Sequence, residues 1–231
     1  MTKTALIVGA GAGNSASLAR LLAENGYQVH LAARNRDKLA DLARETSATC
    51  HQADAGDPDQ VAALFEAVSG RLDVVVANPS ARVRGPVADL DPEVVMTALT
   101  VSAFGSFLVG QQAARRMQDQ TMENGKRGTI LLTGASAGVK GFPLSAPFAM
   151  GKFAQRGLAQ SMSRELHPKG IHVAWVNIDG GIRNPGRVEP ADKPGSMLDP
   201  DAVAQTFLTL IDQDRSAWSS EIAIRPWVEN F

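Results

Sequence analysis

The chain has 231 residues, a formal net charge of -1 and 44% hydrophobic residues. This length suffices for one core, and Lys and Arg are spread without a basic stripe, so we expect neither a nucleic-acid nor a membrane partner. Cys50 is the single cysteine, which excludes an intrachain disulfide and favours a cytoplasmic protein. The first residues lack the apolar core of a signal peptide, and no apolar run approaches the roughly 18 residues of a membrane span. We therefore expect a small-molecule partner or further copies of the chain.

Seven short runs rich in Val, Ile, Leu and Ala alternate with longer amphipathic stretches, a pattern typical of βαβ units. The predicted strands are 4–9, 27–33, 47–52, 72–78, 128–134, 171–177 and 221–226. The predicted helices are 14–25, 36–45, 58–69, 92–122, 148–167 and 200–212. Asp57, Asp91 and Asp199 each precede a proline and should cap a helix, while Gly26 and Gly170 suit left-handed helix ends. The sequence thus predicts one α/β domain over residues 1–231, with a doubly wound parallel sheet.

The irregular segment 180–198, GGIRNPGRVEPADKPGSML, lies between the sixth predicted strand and the last predicted helix. One interpretation is a disordered surface excursion. The other is a lid over a substrate, because long loops within compact domains often close over active sites. Its position after the carboxyl end of a strand favours the lid.

A glycine cluster, VGAGAGNSASLARLL (8–22), follows the first predicted strand and opens the first predicted helix. At such a junction, Gly9 and Gly13 permit a tight turn and let backbone N–H groups approach a pyrophosphate at the helix N-terminus. The spacing departs from the common G-x-G-x-x-G fingerprint, which would need a glycine at Asn14. The position of the cluster therefore indicates a dinucleotide site more strongly than its spacing does.

The cluster resembles the T-G-x3-G-x-G signature of the short-chain dehydrogenase/reductase family, with Val8 and Ser15 in place of the threonine and the third glycine. The resemblance continues through Asp54, Asn78 in ANPS, Lys152 and NIDGG (177–181), and it covers nearly the whole chain. It implies a Rossmann-type fold and a nicotinamide cofactor. The residues that we expect to bind this cofactor are Gly9, Gly13, Asn14, Ser15, Arg34, Asp54, Ala55, Asn78, Pro79, Lys152, Gly180 and Ile182.

The stretch AARNRDK (32–38), at the end of the second predicted strand, bears on the choice of cofactor. It places no Asp or Glu to bind the 2′-hydroxyl of the adenosine ribose. Arg34 is placed to hold a 2′-phosphate through charge-assisted hydrogen bonds. NADP(H) is therefore preferred over NAD(H), and the alternative is that Arg34 and Arg36 are solvated charges that open a helix.

The resemblance also implies a tyrosine acid, a lysine four residues later that supports it, a substrate-orienting serine and an asparagine. This chain departs at three of these four positions. Phe148 stands for the tyrosine, Ala135 for the serine with Ser136 beside it, and Ser102 for the asparagine, so Lys152 alone remains. The expected reacting end thus lacks a phenolic acid.

The chain offers few other side chains that would replace the missing acid. Tyr27, the only tyrosine, starts the second predicted strand and is roughly 20 Å from the carboxyl edge where the cofactor binds. The four histidines show no metal-ligand spacing, and we expect structural roles for them and no metal site. Asp179 is either a carboxylate beside the nicotinamide or a turn residue. The candidate catalytic residues are Lys152, Ser136, Phe148, Ser102 and Asp179, with Ser145 nearby.

Three functions fit these features. The first is an NADP(H)-dependent oxidoreductase whose substrate, an iminium or a conjugated C=C, accepts hydride without a strong acid from the protein. The second is an NADP(H)-binding sensor or structural subunit without redox turnover. A third is slow reduction of small carbonyls with Ser136 and Lys152. The lid interpretation of 180–198 favours an enzyme.

Apolar residues on more than one face of the helices 92–122 and 148–167 predict a homo-oligomer, a tetramer or a dimer. Related proteins pair these helices across one dyad and their last strands across another, as the resemblance implies. That arrangement would put Trp218 and Trp227 near a subunit contact.

Overall fold

The computed structural model describes residues 2–228, so Met1 and residues 229–231 of the predicted domain lie outside the described residues. Within this range the strands are β1 (Lys3–Val8), β2 (Tyr27–Ala33), β3 (Thr49–Gln52), β4 (Val74–Ala77), β5 (Gly128–Thr133), β6 (Ile171–Ile178), β7 (Gly181–Ile182), β8 (Met197–Leu198) and β9 (Glu221–Ile224). The helices are α1 (Asn14–Glu24), α2 (Ala40–Thr46), α3 (Pro58–Ala67), α4 (Pro92–Leu99), α5 (Gly105–Gln118), α6 (Ala146–Leu166) and α7 (Pro200–Asp212).

The main sheet has the strand order β3-β2-β1-β4-β5-β6-β9, and every neighbouring pair is parallel. One buried cluster joins this sheet to α3, α5 and α6, and a second joins it to α1, α2 and α7. Because the chain starts at β1 and winds outward in both directions, the order reverses between β1 and β4. Ligands of such sheets bind at this switch point, beyond the carboxyl ends of the strands. The predicted doubly wound, Rossmann-type α/β fold is confirmed.

Local sequence signals determine most element boundaries. Asp57, Asp91 and Asp199 each accept hydrogen bonds from backbone N–H groups of the first helical turn, as predicted. Gly26 and Gly170 adopt the predicted left-handed conformation. The sequence analysis missed β7 and β8, which pair with each other inside the segment predicted to be a loop.

Helices α4 and α5 are joined by the π-helical turn Thr100–Phe104 into one continuous helix, Pro92–Gln118. By length and composition alone this helix could cross a membrane, so the prediction that no segment reaches that threshold was wrong. Buried helices of globular folds pass the same test. Here the helix packs on α3 and α6 and, through α5, on β4 and β5.

Neighbouring helices α5 and α6 leave large apolar side chains exposed. Phe104 and Phe107 stack with ring centroids 6.1 Å apart, and both are at least 40% exposed. Met150 and Phe153 of α6 are exposed to a similar degree. Among the predicted contact tryptophans, Trp227 is exposed, whereas Trp218 stacks on His172. An apolar surface of this kind on two packed helices favours association.

We expect the exposed apolar face of α5 and α6 to be covered by a second copy of the chain. Replacing Phe104 and Phe153 by Glu should produce monomers, because it would put charges inside that contact. Light scattering measures the outcome. Val188→Glu, which changes an exposed apolar residue of the 180–198 segment, serves as the control. A wild-type mass of 24.4 kDa at micromolar concentration would contradict the expectation.

Candidate functional site

The turn after β1 is locked to the end of β4. Gly9 has φ +81°, and a Cβ atom there would lie 2.7 Å from the carbonyl carbon and oxygen of Asn78. The Asn78 side-chain amide donates to the Gly9 carbonyl and to Ser15 Oγ, both at 3.0 Å. Only glycine fits this position, since it alone tolerates both the conformation and the close approach. These contacts bring together three residues that the sequence predicted for the cofactor site.

Helix α1 begins at this turn with unsatisfied polar groups. Its N-cap residue is Gly13, and no side chain accepts a hydrogen bond from the first turn. Asn14 is buried, and its Oδ1 atom has no hydrogen-bond partner among the described residues. Free N–H groups at a helix N-terminus favour an anion, and a buried unpaired oxygen favours a donor on a ligand. The turn therefore fits the diphosphate and ribose of a dinucleotide.

An outer cavity of about 360 Å³ lies on the β2 and β3 side of the turn. The predicted residues Arg34, Asp54, Ala55 and Pro79 all line it. The Asp54 carboxylate accepts the Gly56 N–H at 2.9 Å, which holds the loop after β3. Lys38 also lines this cavity, and the sequence analysis missed it although it lies in the same basic stretch as Arg34. Two cations at one cavity suit a phosphate group.

A central cavity of about 270 Å³ continues from the turn towards β5 and α6. It is lined by Asn14, Asn78, Lys152, Gly180 and Ile182, among other residues, and shares Gly9 and Asn78 with the outer cavity. The two cavities therefore run continuously along the carboxyl edge of the sheet. This run contains every residue predicted to bind the cofactor.

Lys152, the one residue kept of the four that the resemblance implies at the reacting end, is only 2% exposed. Its Nζ atom donates to the Thr133 carbonyl at 2.7 Å and to Gln155 Oε1 at 3.3 Å. Burial, and to a smaller extent the nearby charge of Arg82, lower the pKa of Lys152 to about 7. A depressed pKa of this kind arises because the interior disfavours an unpaired ammonium. Strongly shifted pKa values are common among the ionisable groups of functional sites.

Phe148 forms the wall between the central cavity and a side cavity of about 240 Å³. The Arg82 guanidinium lies over its ring, 4.5 Å from the centroid. Ser136, Ser145 and Arg84 line the side cavity. The position at which the resemblance implies a tyrosine is thus occupied by Phe148, whose ring offers an apolar surface and no hydroxyl.

Two predicted catalytic residues lie away from these cavities. Ser102 is buried in the π-helical turn, and its Oγ atom accepts the Ala81 N–H at 2.9 Å. The Asp179 carboxylate is buried and lies 3.6 Å from the Arg225 guanidinium. Neither side chain lines the central or the side cavity. Ser102 therefore positions the loop after β4, and Asp179 takes part in an ion pair.

The predicted lid is tied down at its base. Strands β7 and β8 pair across it, and Arg183 forms an ion pair with Asp199. Gly180 and Ile182 at its start line the central cavity. The part of the segment between the two short strands, residues 183–196, is mostly exposed.

The remaining titratable candidates have structural contacts. Tyr27 is buried at the amino edge of the sheet, and burial raises its pKa to about 12. His30 and His51 share a ring-nitrogen contact of 2.9 Å, and His172 contacts the Ser219 carbonyl. Across residues 2–228, no group of three or more His, Cys, Asp or Glu side chains converges as a metal site would require.

Three arginines at the site were not predicted from the sequence. Arg82 lines both the central and the side cavity, Arg84 lines the side cavity, and Arg187 lines the central cavity. Arg82 and Arg84 follow β4 in the stretch SARVRGP, where alternating basic residues directly after the predicted ANPS motif were the available signal.

The model of the short chain dehydrogenase family matches residues 3–186. The chain is 25% identical to an uncharacterized oxidoreductase of Staphylococcus aureus (strain N315), over 97% of each protein. It is similar to the crystal structure of a short-chain dehydrogenase from Rhodopseudomonas palustris, with 33% identity, a TM-score of 0.82 and coverage of 97% and 99% of the two chains. A metagenomic short-chain oxidoreductase in complex with NADP is 27% identical, with a TM-score of 0.82 and 98% coverage of both chains.

The pKa of Lys152 predicts a specific pH dependence of stability. Between about 7 in the folded state and 10.5, its ordinary value, the unfolded chain binds the additional proton, so the free energy of unfolding rises with pH. From pH 7 to 9 the cofactor-free wild type should gain about 2 kcal/mol relative to Lys152→Met. Urea denaturation at both pH values measures this, with the exposed Lys140→Met as control. Parallel pH profiles of wild type and Lys152→Met would contradict it.

Proposed function

We propose an activity for a chain that belongs to the short-chain dehydrogenase family: it is an NADP(H)-dependent oxidoreductase that reduces an activated double bond, an iminium or a conjugated C=C. The observation that carries this proposal is Phe148 at the wall of the central cavity, beside the retained Lys152. The site keeps its means of holding a nicotinamide and lacks the phenol that would protonate a carbonyl oxygen.

The cofactor would be held by groups distributed along the carboxyl edge of the sheet. The N–H groups of residues 11–15 suit its diphosphate, since those of Gly9 and Ala10 donate to the Ala32 carbonyl. Arg34 and Lys38 suit its 2′-phosphate, and Lys152 the nicotinamide ribose. When bound, NADPH supplies a hydride. The NADP complex of the metagenomic relative supports this choice of cofactor.

Phe148 decides which substrates fit. Its ring excludes water from one side of the reacting bond and offers no proton, and losing a positioned general acid typically costs about 10²- to 10⁴-fold in rate. An iminium carbon is already positive, and the enolate from a conjugated C=C takes its proton from solvent. Both tolerate this loss, whereas the alkoxide from a simple ketone needs a proton or an oxyanion donor as it forms.

Slow reduction of small carbonyls stays the lesser activity of the same site. Ser136 lines the side cavity and would orient a carbonyl oxygen, but a serine hydroxyl is too weak an acid to protonate it alone. Lys152 has a pKa of about 7, suited to proton transfer through a water. Its Nζ atom is already bonded to Thr133 and Gln155, which restricts it to that indirect role.

We expect NADPH to bind more tightly than NADH. Arg34→Ala and Lys38→Ala should each weaken NADPH binding about 10- to 100-fold and leave NADH nearly unchanged, since each removes one charge-assisted contact to the 2′-phosphate. Fluorescence titration gives both dissociation constants. Arg36→Ala is the matched control, because Arg36 does not line the outer cavity. Equal affinity of the wild type for both cofactors would sink the cofactor assignment.

Phe148→Tyr tests the role of the ring. The variant should leave reduction of an enone or cyclic imine unchanged or slower, while ketone reduction rises from its low wild-type rate. The measurement compares kcat/KM of both proteins on ketones, enones and cyclic imines, followed as NADPH oxidation against pH. Asp179→Asn is the matched control, because its carboxylate faces Arg225 and not the cavity.

Rapid reduction of a simple ketone by the wild type would defeat the activated-substrate assignment. Tight NADPH binding without turnover of any compound would instead support the sensor or structural subunit. These two outcomes separate the competing functions in one set of assays.

A further inference from the structure

The reacting end of the site carries an unusual concentration of positive charge. Arg82 stands between the central and side cavities, Arg84 lines the side cavity, and Arg187 lines the central cavity, above the buried Lys152. No Asp or Glu among the described residues lines either cavity. The charge is therefore not balanced by the protein within the space where a substrate would lie.

The arginines also lack carboxylate partners outside the cavities. Within residues 2–228, none of the ion pairs involves Arg82, Arg84 or Arg187. Burial, followed by the charges of Arg187 and Arg84, lowers the pKa of Arg82, so both of these guanidinium groups repel that of Arg82. Mutual repulsion of this kind is relieved when an anion binds between the groups.

The loop that carries Arg82 and Arg84 is held at both ends. At its start, the Ala81 N–H donates to Ser102 Oγ at 2.9 Å. At its end, the Gly85 N–H donates to the Leu144 carbonyl at 3.1 Å. Between these anchors the Arg82 guanidinium lies over the Phe148 ring, 4.5 Å from its centroid. The backbone of this loop and the Arg82 side chain are thus held in place before a ligand arrives.

The positions of the three charges divide them between two ligands. Arg187 lines the central cavity together with Gly13 and Asn14, where the cofactor diphosphate is proposed to bind. Arg84 lines the side cavity, which contains none of the residues of that turn. Arg84 and the shared Arg82 are therefore the charges left for a substrate, with Ser136 and Ser145 as further hydrogen-bonding groups.

We propose that the side cavity is a carboxylate site, and that the substrates of this chain are small organic acids whose reducible bond lies against Phe148 while Arg84 and Arg82 hold the carboxylate. A planar carboxylate matches the fork of a guanidinium group, and Phe142, Pro143 and Phe148 give the side cavity an apolar part for the carbon chain of such an acid. This inference rests on the proposed function for the reducible bond, but the anion site itself does not.

Binding of levulinate and of its methyl ester to the NADP⁺-saturated protein tests the site without turnover. Calorimetry should show levulinate binding at least tenfold more tightly than the neutral ester. Arg84→Gln should weaken levulinate 10- to 100-fold and leave the ester unchanged, and Arg84→Lys should retain part of the preference. Lys140→Gln removes a positive charge that does not line the cavity, and it should change neither value.

Equal binding of acid and ester by the wild type, or an equal loss in Lys140→Gln, would overturn the carboxylate site. Inorganic phosphate is the competing probe. If phosphate displaces levulinate at a lower concentration than structural analogues of levulinate do, the cavity is a phosphate site instead. Unchanged NADP⁺ affinity in Arg84→Gln verifies that the variant is folded.

Turnover separates this inference from the proposed function. The enone acid acetylacrylate should be reduced by NADPH with a higher kcat/KM than its methyl ester, and Arg84→Gln should remove that difference through KM. Faster reduction of the ester would reject the acid preference while the reductase stands. Selective levulinate binding with no reduction of any compound would reject the reductase while the anion site stands.

Discussion

The close approach of Gly9 to Asn78 is the constraint on which the site depends. A Cβ atom at Gly9 would overlap the Asn78 backbone, and the Asn78 amide joins the β1–α1 turn to Ser15. The same contact fixes where the chain leaves β4, after which Pro79 and Ser80 line the outer cavity and Arg82 and Arg84 line the side cavity. One backbone contact at the switch point of the sheet thus sets the geometry of both the proposed cofactor site and the proposed substrate site.

Charge is the second feature that the parts of the site share. Lys152 lies in the interior, where its Nζ atom donates to two neutral acceptors. The positive charge of Arg82 lowers the pKa of Lys152. A phenol in the position of Phe148 would sit under that guanidinium, whose charge would favour its ionised form. The phenylalanine instead gives Arg82 an apolar face to stack on. The site therefore lacks a phenolic acid where the Arg82 guanidinium stacks on Phe148, and both features favour a negatively charged substrate.

The π-helical turn shows how a residue can matter without touching a ligand. Thr100–Phe104 turns Ser102 inward, so that it holds the Ala81 N–H and with it the arginine loop. π-helical turns inside α-helices are often found at functional sites because they redirect side chains. Ser102 was expected in the catalytic group, and its contact instead assigns it to positioning. Asp179, expected beside the nicotinamide, is buried against Arg225.

The sequence by itself determined the seven main strands and most of the helices, the capping aspartates, the glycine turn and a set of residues that line the outer and central cavities, because these depend on local periodicity and on short motifs at strand ends. It also identified Phe148 and Lys152. It carried a local signal for Arg82 and Arg84 but did not place them or Arg187 beside Phe148, since they line the same cavities as Phe148 only when the loops after β4 and β6 fold over the same edge. The pKa of Lys152 and the inward turn of Ser102 were likewise decided by tertiary structure, because burial and charge proximity are properties of the packed chain.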